Sequence, residues 1–266
     1  MFRLLISLAS LVVVSTVVGS RLPEPELTGG IISSWGMFPS AAFISTPALS
    51  YCGAAVIHPD FVLTLAQCVY DESRQVTLQS NLIEVVAGDI KIIPASFGRQ
   101  QRSVQEVIVH QNYTGYNYNN DIALLRVDKP FEVPSNSVEM GTRRRIIVPN
   151  GAVCQCPGWG VQRSTSIDQV EIVQKYLSVD VLDRDACNEV DVHGGLVRES
   201  MICAGNLYQN PNAACSGNLG SPLYCDDELT GLLSFGANCG LANDPPVYTQ
   251  IRFFNSWIDE HIERNE

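Results

Sequence analysis

The side chains able to do chemistry fall into a few short segments of the 266 residues. Thr64-Leu65-Ala66-Gln67-Cys68 follows an apolar run, Asn120-Asp121-Ile122-Ala123-Leu124-Leu125 opens another, and Cys215-Ser216-Gly217-Asn218-Leu219-Gly220-Ser221-Pro222-Leu223 is rich in small residues. Histidine occurs at His58, His110, His193 and His261, and there are nine cysteines. Covalent catalysis by a hydroxyl needs a base in reach, and without one Ser216 and Ser221 are ordinary alcohols. No His/Cys/Asp cluster has metal-ligand spacing, so neither a metal nor another cofactor is expected. Arg143-Arg144-Arg145 is the one basic run; it suits a solvated loop, or a weak contact with sulfated glycans or another acidic partner. Tyr113, Tyr116 and Tyr118 alternate with polar residues, a pattern compatible with recognition.

These residues need a scaffold, and the composition is globular: 45% hydrophobic and 17% charged. Seventeen Lys and Arg against 28 Asp and Glu leave a net charge of −11, which argues against nucleic acid or an anionic membrane as the main partner. Residues 1–20 read as a secretory signal, with Met1-Phe2-Arg3 ahead of an uncharged apolar run and small residues at Val18-Gly19-Ser20. The run is short for a membrane anchor and no basic stop-transfer cluster follows it, so a secreted, extracellular protein with disulfides is expected. Export would make Asn112-Tyr113-Thr114 a usable glycosylation sequon, with Asn112 either modified or left bare.

Residues 21–26 are a short polar, Pro-rich segment. From Leu27 onward many short β-like runs alternate with Gly, Pro and Asn: Ala54–His58, Phe61–Thr64, Ile83–Ala87, Val104–His110, Ile122–Val127, Val170–Val181, Gly231–Phe235 and Val247–Ile251. That pattern predicts an all-β barrel or sandwich. Phe254, Trp257, Ile258 and Ile262 share one helical face, which predicts a single amphipathic C-terminal helix.

Read in order, the segments at Gln67, Asp121, Gly158-Trp159-Gly160, Leu219, Ser234-Phe235-Gly236 and Pro246-Val247-Tyr248-Thr249 resemble the motifs TAAHC, DIALL, GWG, GDSGGPL and SWG of the chymotrypsin-like (trypsin-fold, S1 peptidase) serine proteases. The resemblance covers Leu27 to about Glu263. It implies one trypsin-like domain over 27–266, made of two six-stranded antiparallel β-barrels meeting near 132–146 and a C-terminal α-helix. It also implies the disulfides Cys52–Cys68, Cys154–Cys225, Cys187–Cys203 and Cys215–Cys239. Cys156 is then left over, as a free thiol, an intermolecular link or a competitor for Cys225. The second-strand loop region Gln79–Ile90 lacks the paired acids of the family's calcium loop.

The same resemblance assigns the triad positions to Gln67, Asp121 and Leu219, of which Asp121 alone keeps the family's residue. An amide has no useful basicity and a leucine has no nucleophilic atom. Gly217 and Leu219 stand at the oxyanion hole, and Ala213, Ser234, Gly236 and Pro246 at the specificity pocket. Leu27 and Asn218 stand for the activation ion pair, and Glu26 replaces the basic cleavage residue ahead of it. His110 matches a common family histidine and is expected to be a structural surface residue. The implied function is that of a secreted, monomeric, non-catalytic homologue. It would bind a protein partner as cofactor, decoy or modulator of a proteolytic or innate-immune cascade. The alternative is an active endopeptidase with unconventional residues.

Overall fold

The computed structural model describes residues 30–46, 51–93, 95–96, 98–163, 170–205, 219–236 and 244–265. Its first half holds β1 (Ile31–Ile32), β2 (Ala41–Ser45), β3 (Cys52–His58), β4 (Phe61–Thr64), β5 (Tyr70–Asp71), β6 (Val76–Thr77), β7 (Glu84–Ala87), β8 (Lys91–Ile93), β9 (Gln100–Val109) and β10 (Ala123–Val127). The second half holds β11 (Val153–Arg163), β12 (Val170–Val181), α1 (Arg184–Cys187), β13 (Met201–Gly205), β14 (Pro222–Cys225), β15 (Glu228–Phe235), β16 (Val247–Gln250) and α2 (Ile251–Glu263). Residues 1–20, read from sequence as a signal, and the 21–26 segment lie outside the described residues.

Six antiparallel strands close the first barrel in the order β10-β4-β3-β2-β7-β9. The second runs β12-β11-β14-β15-β16-β13, and β13 returns to β12 through the pairs Asp180↔Gly205 and Val181↔Ala204. The fold is therefore the expected pair of six-stranded barrels. β12 shows why such strands form: Leu177, Val179 and Val181 are buried while Ser178 and Asp180 are exposed, the period of a strand with one face on the core. β12 also extends past its barrel, where β8 and β1 add to it, so a strand of the first half hydrogen-bonds to the second.

The chain crosses between barrels after Val127 and re-enters at Val153. Arg143 reaches Asn255 at 3.1 Å and Asp259 at 2.5 Å; Arg145 pairs with Asp259 at 3.3 Å. Arg144 is buried and meets Asp226, Glu228 and the Cys225 carbonyl. The basic run thus finds carboxylates within the chain and staples the crossover to α2 and to the β14–β15 hairpin. Asp226 and Asp227 have φ of 50° and 60°, the left-handed pair that a two-residue hairpin turn requires.

α2 packs the predicted stripe. Phe254, Trp257 and Ile258 are buried in one cluster with the first barrel's core, and Ile262 packs at its edge. Ile251, expected at the end of a strand, instead opens this helix. His110 departs from the sequence reading: it is buried at 8% exposure between the Phe254 and Trp257 rings rather than on the surface. Burial and the nearby His261 hold its pKa below the ordinary value. The strand pattern could not reveal this, because the covering helix is far away in the sequence.

The barrels touch backbone to backbone at Gly53 and Gly220. The Gly53 N–H donates to the Leu219 carbonyl at 2.7 Å. A Cβ on Gly53 would sit 2.3 Å from the Ser221 nitrogen, and one on Gly220 2.2 Å from the Gly53 oxygen. We expect Gly53→Ala to cost about 3 kcal/mol or more in urea denaturation, because the neighbours are backbone and cannot yield. Gly151→Ala, at φ 79° in open space, should cost only the left-handed penalty of about 1–2 kcal/mol.

Candidate functional site

Four segments meet at one buried carboxylate. Asp121 stands just before β10, Gln67 lies in the short turn after β4, Ser234 lies in β15, and Thr249 in β16. The first two come from the first barrel and the others from the second. The disulfide Cys52–Cys68 ties the Gln67 turn to the start of β3. Asp121 is fully buried, so every charge-stabilising contact must come from the protein.

The contacts are dense. Asp121 Oδ1 accepts the Gln67 backbone N–H at 3.0 Å. Oδ2 accepts both the Gln67 side-chain Nε2 at 2.6 Å and the Ser234 hydroxyl at 2.6 Å. Gln67 Nε2 also donates to the Ser234 carbonyl at 2.9 Å, so both amide hydrogens are used. Thr249 Oγ1 donates to the Asp121 main-chain oxygen at 2.8 Å. The amide orientation follows from this network, since the reverse would aim its oxygen at the carboxylate. Burial pushes the Asp121 pKa up to about 6, against the lowering effect of the Ser234 and Gln67 hydrogen bonds.

Leu219 is partly buried and packs against the first barrel's core. Pro246 is buried and abuts Gly205, where a Cβ would meet the proline Cδ at 2.7 Å. Gly236 has φ 65°, and a Cβ there would meet the Pro245 carbonyl oxygen and the His193 ring, each at 2.7 Å. His193 Nε2 donates to that same carbonyl at 2.8 Å. Leu27, Ala213, Gly217, Asn218 and the pair Cys215–Cys239 lie outside the described residues.

The structure forms the disulfides Cys52–Cys68, Cys154–Cys225 and Cys187–Cys203. Cys156 is a buried free thiol beside Tyr248, and burial pushes its pKa up to about 11, which keeps it protonated and unreactive near neutrality. The three tyrosines separate in role. Tyr113 is buried and donates to Glu72 Oε1 at 2.8 Å, Tyr116 is exposed, and Tyr118 stacks on Phe235 at 4.7 Å between ring centroids. Asn112 and Thr114 of the sequon are both exposed. The Thr249 bond to Asp121, the Gly53 contact and the stacking of Tyr118 on Phe235 were not legible in the sequence, although Thr249, Tyr118 and Phe235 lie in segments named there. Gly53 carried a weak signal, as a glycine inside an otherwise apolar strand.

A model of the Trypsin family matches residues 28–258. The chain is 30% identical to Trypsin-2 of Salmo salar over 78% of its own length and 83% of that protein. It is 30% identical to Serine protease 1 of Rattus norvegicus, covering 81% of each. It is 29% identical to Coagulation factor XII of Sus scrofa over 89% of this chain and 39% of that longer protein. With two such barrels and a buried carboxylate between them, the chain belongs to the trypsin family of serine proteases.

The raised Asp121 pKa has a measurable consequence. A folded-state value of about 6 against 3.8 means this group's stabilisation is fully present below about pH 4 and lost as pH rises through 6. His110 runs oppositely, its contribution being lost as pH falls. Asp121→Asn removes only the first dependence. We therefore expect the stability of wild type relative to Asp121→Asn to fall from pH 4 to pH 7.5, by on the order of 3 kcal/mol, in urea titrations of both proteins.

Proposed function

We propose that this chain is a secreted, non-catalytic serine protease homologue that acts by binding another protein, as a cofactor, decoy or modulator of a proteolytic or innate-immune cascade. The observation that carries the reading is the Gln67 amide, with both hydrogens committed to Asp121 and Ser234 at the position where the family motif has its histidine. What such an amide can turn toward substrate is a carbonyl oxygen, which accepts hydrogen bonds but cannot carry a proton near neutral pH. Leu219 at the serine position supplies no nucleophile. In an enzyme of this mechanism, loss of the serine or the histidine costs on the order of 10⁶ in turnover, and about 10³–10⁴ over water survives from binding and the oxyanion hole.

No described helix is long and apolar enough to cross a membrane. Secretion rests on the N-terminal sequence and on the disulfides, which persist in oxidising compartments. Asn112 is open to a glycan. The cascade role is analogy to relatives such as the coagulation factor.

A fluorophosphonate probe reports an activated serine directly. We expect no covalent adduct on the purified protein, whereas stoichiometric labelling would establish an active endopeptidase with unconventional residues. The double variant Gln67→His with Leu219→Ser should stay almost inactive on peptide substrates, because Glu26 and Asn218 withhold the activation pair. Robust cleavage by it would refute that part of the reading.

A further inference from the structure

A groove of about 370 Å³ opens on the second barrel, away from the Asp121 network. It is bounded by the crossover at Ile147, the start of α1 at Arg184, the approach to β13 at Glu199 and Met201, and the first turn of α2 at Arg252 and Phe253. Gln250 also lines it. Its strand neighbour Thr249 bonds Asp121 instead, so the groove and the carboxylate lie on opposite faces of β16. The volume falls within the range of ligand-sized clefts.

The lining is amphipathic. Ile147 and Phe253 are 69% and 51% exposed, and Ile146, next to Ile147 in the chain, is 66% exposed. Large side chains left in water together mark a recognition surface more often than single ones do. The charge is as telling. In a chain of net charge −11, the two basic residues lining the groove are both arginines. Among the described residues no carboxylate forms an ion pair with either one. Asp183 feels the Arg184 charge, but its oxygens already accept from the Asp185 and Ala186 backbone and from Asn150. Arg252 gives one bond to Gln250 Oε1 at 3.2 Å, and its Nε is buried with no partner. The Arg143–Arg145 run, by contrast, has its charge met by Asp226, Glu228 and Asp259.

We propose that this groove is a docking site for an acidic, apolar-flanked peptide segment of a partner protein, with its carboxylates on Arg184 and Arg252 and its large side chains on Ile147 and Phe253. The fork of each guanidinium matches a carboxylate in two parallel hydrogen bonds. A polysulfated glycan fits less well, because it would leave the apolar walls at Ile147 and Phe253 in water. The inference rests on the binding role proposed above only in giving the groove a protein as its occupant.

The test uses the full secreted chain and a pooled library of short peptides that pair Asp or Glu with Leu or Phe, beside the same library with Asn and Gln in place of the acids. The acidic pool should be captured in preference to its amide counterpart, and capture should weaken as salt is raised from about 0.05 M to about 0.5 M. Arg184→Glu and Phe253→Ser both alter exposed side chains, and circular dichroism and melting would verify that each folds. Each variant should weaken capture by about tenfold or more. Equal capture of both pools, no capture, or capture unchanged in the two variants would overturn the proposal. So would retention on heparin that Arg184→Glu abolishes while no peptide binds. Mass analysis of the recovered peptides separates the two readings: cleaved peptide with intact dependence on Arg184 would sink the non-catalytic role and leave the docking site standing.

Discussion

A carboxylate buried between two barrels must be surrounded by donors, and this requirement organises the centre of the molecule. Asp121 takes hydrogen bonds from a turn of its own barrel and from a strand of the other. Each donor is itself fixed: Gln67 by its neighbour's disulfide, Ser234 by its place in β15. A loss of alignment between the barrels would therefore strand a desolvated acid, which is far more costly than the loss of any single bond. The glycine contact at Gly53 and Gly220 works in the same direction by allowing the two backbones to approach.

On the proposed reading, Gln67 keeps the hydrogen-bonded arrangement of the site while changing what the site can do. An imidazole offers a carboxylate one N–H and turns a titrating nitrogen outward. The amide gives Asp121 an equivalent donor and uses its other hydrogen on the Ser234 carbonyl. The structural service to the buried acid survives, and on the proposed reading the proton shuttle does not. Leu219 follows the same logic, since its side chain adds to the hydrophobic packing of the first barrel. Both residues contribute to the packing and hydrogen bonding of the fold.

Much of this was legible in the sequence. Alternating burial along 177–181 and the stripe at Phe254, Trp257 and Ile258 follow from periodicity alone, because local side-chain spacing decides them. The motif segments located Gln67, Asp121 and Ser234. Other features depend on which distant segments meet. His110 reads as a surface residue until α2 covers it, and Arg143-Arg144-Arg145 reads as free charge until Asp226, Glu228 and Asp259 are brought to it. The groove at Arg184 and Arg252 has no linear signal at all, since four separate stretches build it.

The three disulfides have a further consequence. Cys52–Cys68 lies wholly in the first half, and Cys154–Cys225 and Cys187–Cys203 wholly in the second. Among the described residues no sulfur bridge spans the seam where Asp121 sits. Each half is covalently braced, while their mutual alignment is held by reversible forces: the glycine contact, the β8–β12 ladder, the hydroxyl pair Ser40–Tyr224 at 2.8 Å, and the helix that folds back across. Oxidising conditions thus harden the two parts without locking the joint, and the geometry around the central acid stays a thermodynamic property of the whole chain.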